Sequence, residues 1–215
     1  MQMGTHPTEN LQKTTQKRKR SSKREWKKLV AEFQQPHTGR ATWQLINTLV
    51  PIFAIWVSIY FLKDVSLWLC IPPAVLGGLF MVRAFIIFHD CGHGSFLKSK
   101  RANSIIGFIT GMLTFTPYRQ WSWEHARHHA TNGDLDRRGI GDIWTLTVEE
   151  YVSSSRRLQL SYRFIRNPII LFVFAPIVLF VILQRFPNSK AKKKERQSVH
   201  LMNITLAGWC IGMSI

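Results

Sequence analysis

The stretch 41–62, A-T-W-Q-L-I-N-T-L-V-P-I-F-A-I-W-V-S-I-Y-F-L, carries no charge. As a helix rising about 1.5 Å per residue it is long enough to cross a hydrocarbon core of roughly 30 Å. Only Lys63 and Asp64 separate it from a second apolar run, 65–88, whose one charged residue is Arg83. The two runs are expected to pair as a tight transmembrane hairpin. Arg83, one to two turns from the end of its span, is placed either to reach the headgroups or to face inward towards an acidic partner. Two further apolar segments, 169–185 and 199–215, bring the expected total to about four spans, the last incomplete at residue 215. The piece 104–118 is short and rich in Gly and Thr, and is read as a helix or loop that dips into the interface and returns. The fold class expected is therefore all-α: an integral membrane helical bundle, with residues 119–167 forming a polar, histidine-rich cap.

The formal charge of +17 sits in blocks beside these spans. That pattern faces the charge towards anionic lipid and argues against nucleic acid as the partner. Residues 1–40 form a basic tail with K-R-K-R at 17–20, and no apolar leader core precedes residue 41. Residues 1–24 are expected to be disordered. Basic residues in the tail and in K-S-K-R at 98–101 put the N-terminus and His89 on the cytoplasmic side. The basic linker 185–196 conflicts with a single crossing at 169–183, which would place it outside, so a re-entrant segment stands as the alternative. Cys70, Cys91 and Cys210 are too far apart for a C-x-x-C site, and no disulfide framework is implied. Cys91 is expected to be a small buried residue pointing away from the histidines beside it.

Five of the eight histidines fall in two clusters, His89 and His93 as H-x-x-x-H, and His125, His128 and His129 as H-x-x-H-H. Residues three and four apart share a helix face, so each cluster can aim its imidazoles at one point. Brought together, the clusters could hold one heavily nitrogen-ligated ion or two ions, since neutral imidazole suits zinc, copper, iron and nickel. Asp90, Glu124, Asp134, Asp136 and Asp142 are candidates to orient the rings, or else to pair with Arg127, Arg137 or Arg138. The H-E-x-x-H pattern of hydrolytic zinc sites is absent, which points towards redox iron.

H-D-C-G-H-G-S-F at 89–96, G-F-I-T-G-M-L-T-F-T-P-Y at 107–118, and E-H-A-R-H-H-A-T-N-G-D-L-D-R-R-G-I-G-D-I-W-T-L-T-V-E-E-Y at 124–151 closely resemble the membrane-bound fatty acid desaturases. The nearest type is the acyl-lipid Δ12 or omega-6 branch, and the likeness runs from about residue 40 to the end. The resemblance implies a non-haem centre of two iron ions held by three histidine boxes. It also implies that O2 and two electrons from ferredoxin or cytochrome b5 introduce a double bond into the acyl chain of a membrane lipid or acyl thioester. His89, His93, His125, His128 and His129 match the iron ligands of the first two boxes. The third box has no counterpart, since His200 stands alone, and the chain is expected to be C-terminally truncated. Related membrane di-iron hydroxylases, and a non-catalytic desaturase fragment, are the competing readings. Trp121, Trp123, Trp144 and Tyr118 are expected in the acyl tunnel or in an interfacial aromatic belt. The location expected is a bacterial inner membrane with both histidine boxes cytoplasmic.

Overall fold

The computed structural model describes residues 29–31, 35–138 and 143–214. The expected disorder of 1–24 and the role suggested for Asp142 lie outside these residues. Every regular element among those described is helical. Helix α1 (Thr38–Leu62) starts three residues before the predicted span. The ring Nδ1 of His37 accepts the Arg40 N–H at 3.2 Å and caps it. Inside α1 the hydroxyls of Thr48 and Ser58 donate to the carbonyls four residues back, at 2.7 and 2.8 Å, so neither polar group is left unsatisfied in an apolar setting.

A 3₁₀ turn at Leu67–Cys70 feeds α2 (Ile71–His93), whose first residues include the helix-compatible Pro72 and Pro73. Helix α2 does not stop at Phe88 with the predicted span but continues through the first histidine box. It ends at Gly94, whose φ of 68° provides the left-handed cap. Helices α1 and α2 pack through Ile52, Ile55 and Ala84, while Trp43, Phe53, Leu79 and Val82 point outward. Outward apolar faces on paired helices of this length are what lipid would cover. Arg83 is exposed rather than turned inward, and it donates to the neutral Asn47 amide on α1 at 2.6 Å, not to a carboxylate. Cys91 is 1% exposed among Ala41, Ile87 and Phe96, away from the histidine face as expected.

Helix α3 (Lys100–Leu113) and α4 (Tyr118–Thr131) form a hairpin against α2. Asn103 pins its start, donating to Leu97 O at 2.6 Å and accepting from Leu97 N at 2.9 Å. Two glycines allow the close return. A Cβ on Gly107 would lie 2.2 Å from the Tyr118 ring, and one on Gly111 would lie 2.5 Å from Thr116 O. The piece 104–118 thus leaves the first box and comes back to it. Short helices α5 (Val148–Ser153) and α6 (Arg156–Ile165) follow, then α7 (Ile170–Arg185), largely π-helical and bent 58° from α6. Helix α8 (Lys193–Ser214) closes the described chain, with the Trp209 ring tilted at 40° to that of Trp56 of α1, centroids 5.5 Å apart.

Among the described residues two helices, Thr38–Leu62 and Leu67–His93, are long and apolar enough to cross a membrane, or three if α6 and α7 count as one bent span. The residues flanking α7 approach α4: Arg166, four residues before α7, lines a cavity with His128 and Asn132, and Asn188, three residues after it, donates to Glu124 at 2.8 Å.

Candidate metal centre

The centre is built where α2 ends and α4 passes it. His89 and His93 occupy one face of the last turn of α2; His125 and His129 occupy the facing side of α4. Tyr118 fixes the register, since its hydroxyl donates to Cys91 O at 2.6 Å while its ring fills the space left by Gly107. Packed this way, the candidate ligand atoms of His89, His93, His125 and His129 all lie within 4.8 Å of one another. His125 Nε2 lies at the hub, 2.9 Å from His89 Nε2, 3.2 Å from His93 Nε2 and 3.0 Å from His129 Nε2. His89 and His93 are themselves 3.2 Å apart.

These spacings test the fit to a metal. Two imidazole nitrogens, each about 2.1 Å from one ion, stand roughly 3 Å apart when the angle between them is near 90° and about 3.4 Å apart in a tetrahedron. The observed edges of 2.9–3.2 Å belong with the wider-coordination case. Four neutral nitrogens meeting at one point have no mutual hydrogen-bonding pattern that satisfies them all, whereas one cation accepts every lone pair. Burial, followed by the neighbouring His89, His129, His93 and His128, holds the His125 imidazole down at about 4. It is therefore neutral at physiological pH, the form that ligates.

Of the carboxylates singled out in the sequence, Asp90 reaches a histidine: its Oδ1 lies 3.2 Å from His89 Nδ1, which leaves Nε2 facing the cluster. Glu124 instead accepts from Asn188, and burial raises its carboxyl above the usual range. Asp134 is taken by Arg137 at 2.6 Å. His128 stands outside the group of four, its ring 6.1 Å from that of His125 and 5.8 Å from that of His129. It lines a separate cavity of 440 Å³ with Thr131, Asp134, Arg138 and Arg166.

The aromatic residues take roles that spacing did not disclose. Trp121 lies flat on His125, with centroids 4.4 Å apart and planes 16° apart, and touches Phe85 and Phe88 behind it. It forms one wall of the cluster. Trp123 instead carries the Arg127 guanidinium at 4.8 Å, and Trp144 meets Tyr162 edge-on. Glu150, which sequence reasoning passed over, anchors the segment after the second box. Arg138 bridges it with two hydrogen bonds and also reaches Thr145 O at 2.7 Å. The signal was present in T-V-E-E at 147–150, a capping box that the structure forms in full.

A helix of membrane-spanning length whose last turn brings two imidazoles against two more from the 14-residue α4 defines a histidine-box protein with a candidate metal site at the end of a span. Comparison with known proteins narrows the class: the family described as "Fatty acid desaturase" matches residues 66–214. A fatty acid desaturase of Bacillus subtilis (strain 168) is 49% identical over 179 residues, covering 83% of this chain and 51% of that protein. The sn-1 oleoyl-lipid 12-desaturase of Synechocystis sp. is 28% identical over 176 residues, covering 81% of this chain and 48% of its own. An sn-1 acyl-lipid omega-3 desaturase (ferredoxin) from the same organism is 35% identical over 118 residues, covering 55% of this chain and 28% of its own. The chain belongs to the fatty acid desaturase family. It spans about half the length of the curated Bacillus subtilis and oleoyl-lipid 12-desaturase relatives. No solved structure matches it.

Proposed function

We propose that this chain supplies the first two histidine boxes of an acyl desaturase that introduces a double bond into the fatty acyl chain of a membrane lipid. The observation that carries the reading is the convergence of His89, His93, His125 and His129 Nε2 atoms at the end of a membrane-length helix. When bound, a non-haem di-iron centre supplies the O2-dependent removal of two hydrogens from an unactivated acyl chain. The four converging histidines would hold one iron, and His128, one turn along α4, would serve the second. Asp90 keeps the His89 proton on Nδ1. Trp121 stacks on His125, fixes its ring plane and excludes water from that side of the centre. The relatives acting on sn-1 acyl lipids support a lipid-linked substrate, and the relative named for ferredoxin supports a small acidic electron donor docking on the basic face.

In this reading α1 and α2 cross the membrane and the α3–α4 hairpin dips and returns. The segment 169–185 takes the re-entrant course, a reading supported by the approach of the residues that flank it, Arg166 and Asn188, to the α4 side. Helix α8 then enters the membrane from the histidine side. The basic stretches 98–101 and 185–196 both come to lie on that face, which the positive-inside rule makes cytoplasmic, in a bacterial inner membrane.

The test expresses the 215-residue chain in membranes beside the same chain extended through a third H-x-x-H-H and its preceding span. Iron content and acyl double bonds are measured for both. Iron retention and new double bonds in the extended form are expected. Absence of iron from both forms would remove the chemical basis of the proposal.

A further inference from the structure

An open cavity of 610 Å³ lies between α3, α4 and α8, apart from the histidine centre. Its walls divide by chemistry. Ile105, Phe108, Ile109 and Leu201 form an apolar side, and Arg119 and Lys194 stand with Gln197 on the other. No carboxylate lines it, and neither Arg119 nor Lys194 has an ion-pair partner among the described residues. Glu195, next to Lys194, is not among the lining residues. The depth is informative as well. Tyr118 lines the cavity and donates to Cys91 O, so Arg119 beside it sits level with the last turns of α2, where the apolar span gives way to the histidine box. Two cations at that depth meet the headgroup layer, and the exposed Ile105, Ile109 and Leu201 continue towards the hydrocarbon.

We infer that this cavity is a binding site for an anionic phospholipid, its phosphodiester held by Arg119 and Lys194 and an acyl chain laid along Ile105, Phe108, Ile109 and Leu201. The volume is within the range of about 300–1,000 Å³ typical of small-molecule sites, enough for a headgroup and the first part of a chain. The first turn of the long helix α8 adds the positive end of its dipole to the same side. The bound lipid would wedge α8 against the α3–α4 hairpin, which already meets it through the Gln120 N–H to Ser198 Oγ bond at 3.2 Å.

The test needs neither metal nor turnover, so its failure is separable from failure of the desaturase reading. The metal-free 215-residue chain is purified in mild detergent, and retained phosphatidylglycerol and phosphatidylcholine are counted by native mass spectrometry. The parent is expected to prefer phosphatidylglycerol. The R119Q/K194Q variant is expected to lose that preference by roughly 10- to 30-fold, the scale of two lipid-facing cations. An R156Q/R157Q variant, which removes the same charge from α6, is expected to retain it. I109W, which keeps both cations and fills the apolar wall, is expected to lower retention of phosphatidylglycerol, with helicity by circular dichroism confirming that each variant is folded. Equal binding of the two lipids by the parent would overturn the proposal. So would an equal loss in the α6 control, or full displacement of the lipid by millimolar inorganic phosphate.

Discussion

At the scale of single residues, the centre depends on side chains that set ring orientation as much as on the rings. Asp90 touches His89 Nδ1, and removing its charge frees the tautomer that the cluster requires. D90N is expected to weaken metal binding by about 10- to 100-fold, read by metal titration of the purified protein. His125 contributes the hub nitrogen of the four, so H125A is expected to abolish metal retention at a level where D90N still binds. Gly107 matters for a different reason. The added methyl of G107A meets the Tyr118 ring at 2.2 Å and forces apart the contact that registers α4 against α2. A loss of about 1–3 kcal/mol is expected in detergent unfolding, together with weaker metal binding, because the two boxes would no longer face each other at bonding distance. The four converging histidines were legible in the sequence, since helical spacing puts His89 with His93 and His125 with His129 on one face each. The same spacing grouped His128 with them, but its ring stands outside the four, and Asp90 was visible only as a neighbouring carboxylate. Trp121 was not, because an aromatic residue near a membrane has several possible neighbours and only packing selects the face of His125.

At the scale of elements, α5 is six residues long and too short to persist by propensity alone. Its order comes from its N-terminus. Thr147 Oγ1 accepts the Glu150 N–H at 3.1 Å, the Glu150 carboxylate accepts the Thr147 N–H at 2.7 Å, and Arg138 closes on that carboxylate from the loop that follows α4. The Arg138 guanidinium, and then the Thr147 N–H, hold the Glu150 carboxyl down at about 2, from an ordinary value of 4.5. A carboxyl lowered on folding stabilises fully above its unfolded value, and that contribution fades as the pH falls from about 4.5 towards 2. E150Q is therefore expected to melt below the parent at pH 7, with the gap narrowing by pH 3, as followed by thermal melts in detergent. The capping residues were visible as T-x-x-E, but the clamp from Arg138 was not, because the partners are twelve positions apart in the chain.

At the scale of the whole molecule, the arrangement of spans governs whether the boxes meet. With 169–185 re-entrant, a cysteine introduced at Lys192 is expected to react with a membrane-impermeant thiol reagent only after the cytoplasmic side is opened, as is one at Lys98; labelling of the Lys192 site in sealed cells would instead place a crossing at 169–185. The two long apolar runs, the basic stretches beside them and the paired histidine boxes were determined by the sequence itself. Those features follow from the length of an apolar helix, from the charge rule and from the helical period, all of which act over a few turns of one chain. Only the tertiary structure decided that α2 carries its first box as an unbroken extension of the span. It also decided that Gly107 and Tyr118 set the register between boxes 36 residues apart, and that four nitrogens come within 4.8 Å while His128 faces another cavity. The physical reason is that ligand convergence depends on contact distances between helices. A single chain's periodicity fixes which face a histidine occupies, but the close packing of its neighbours fixes what that face meets.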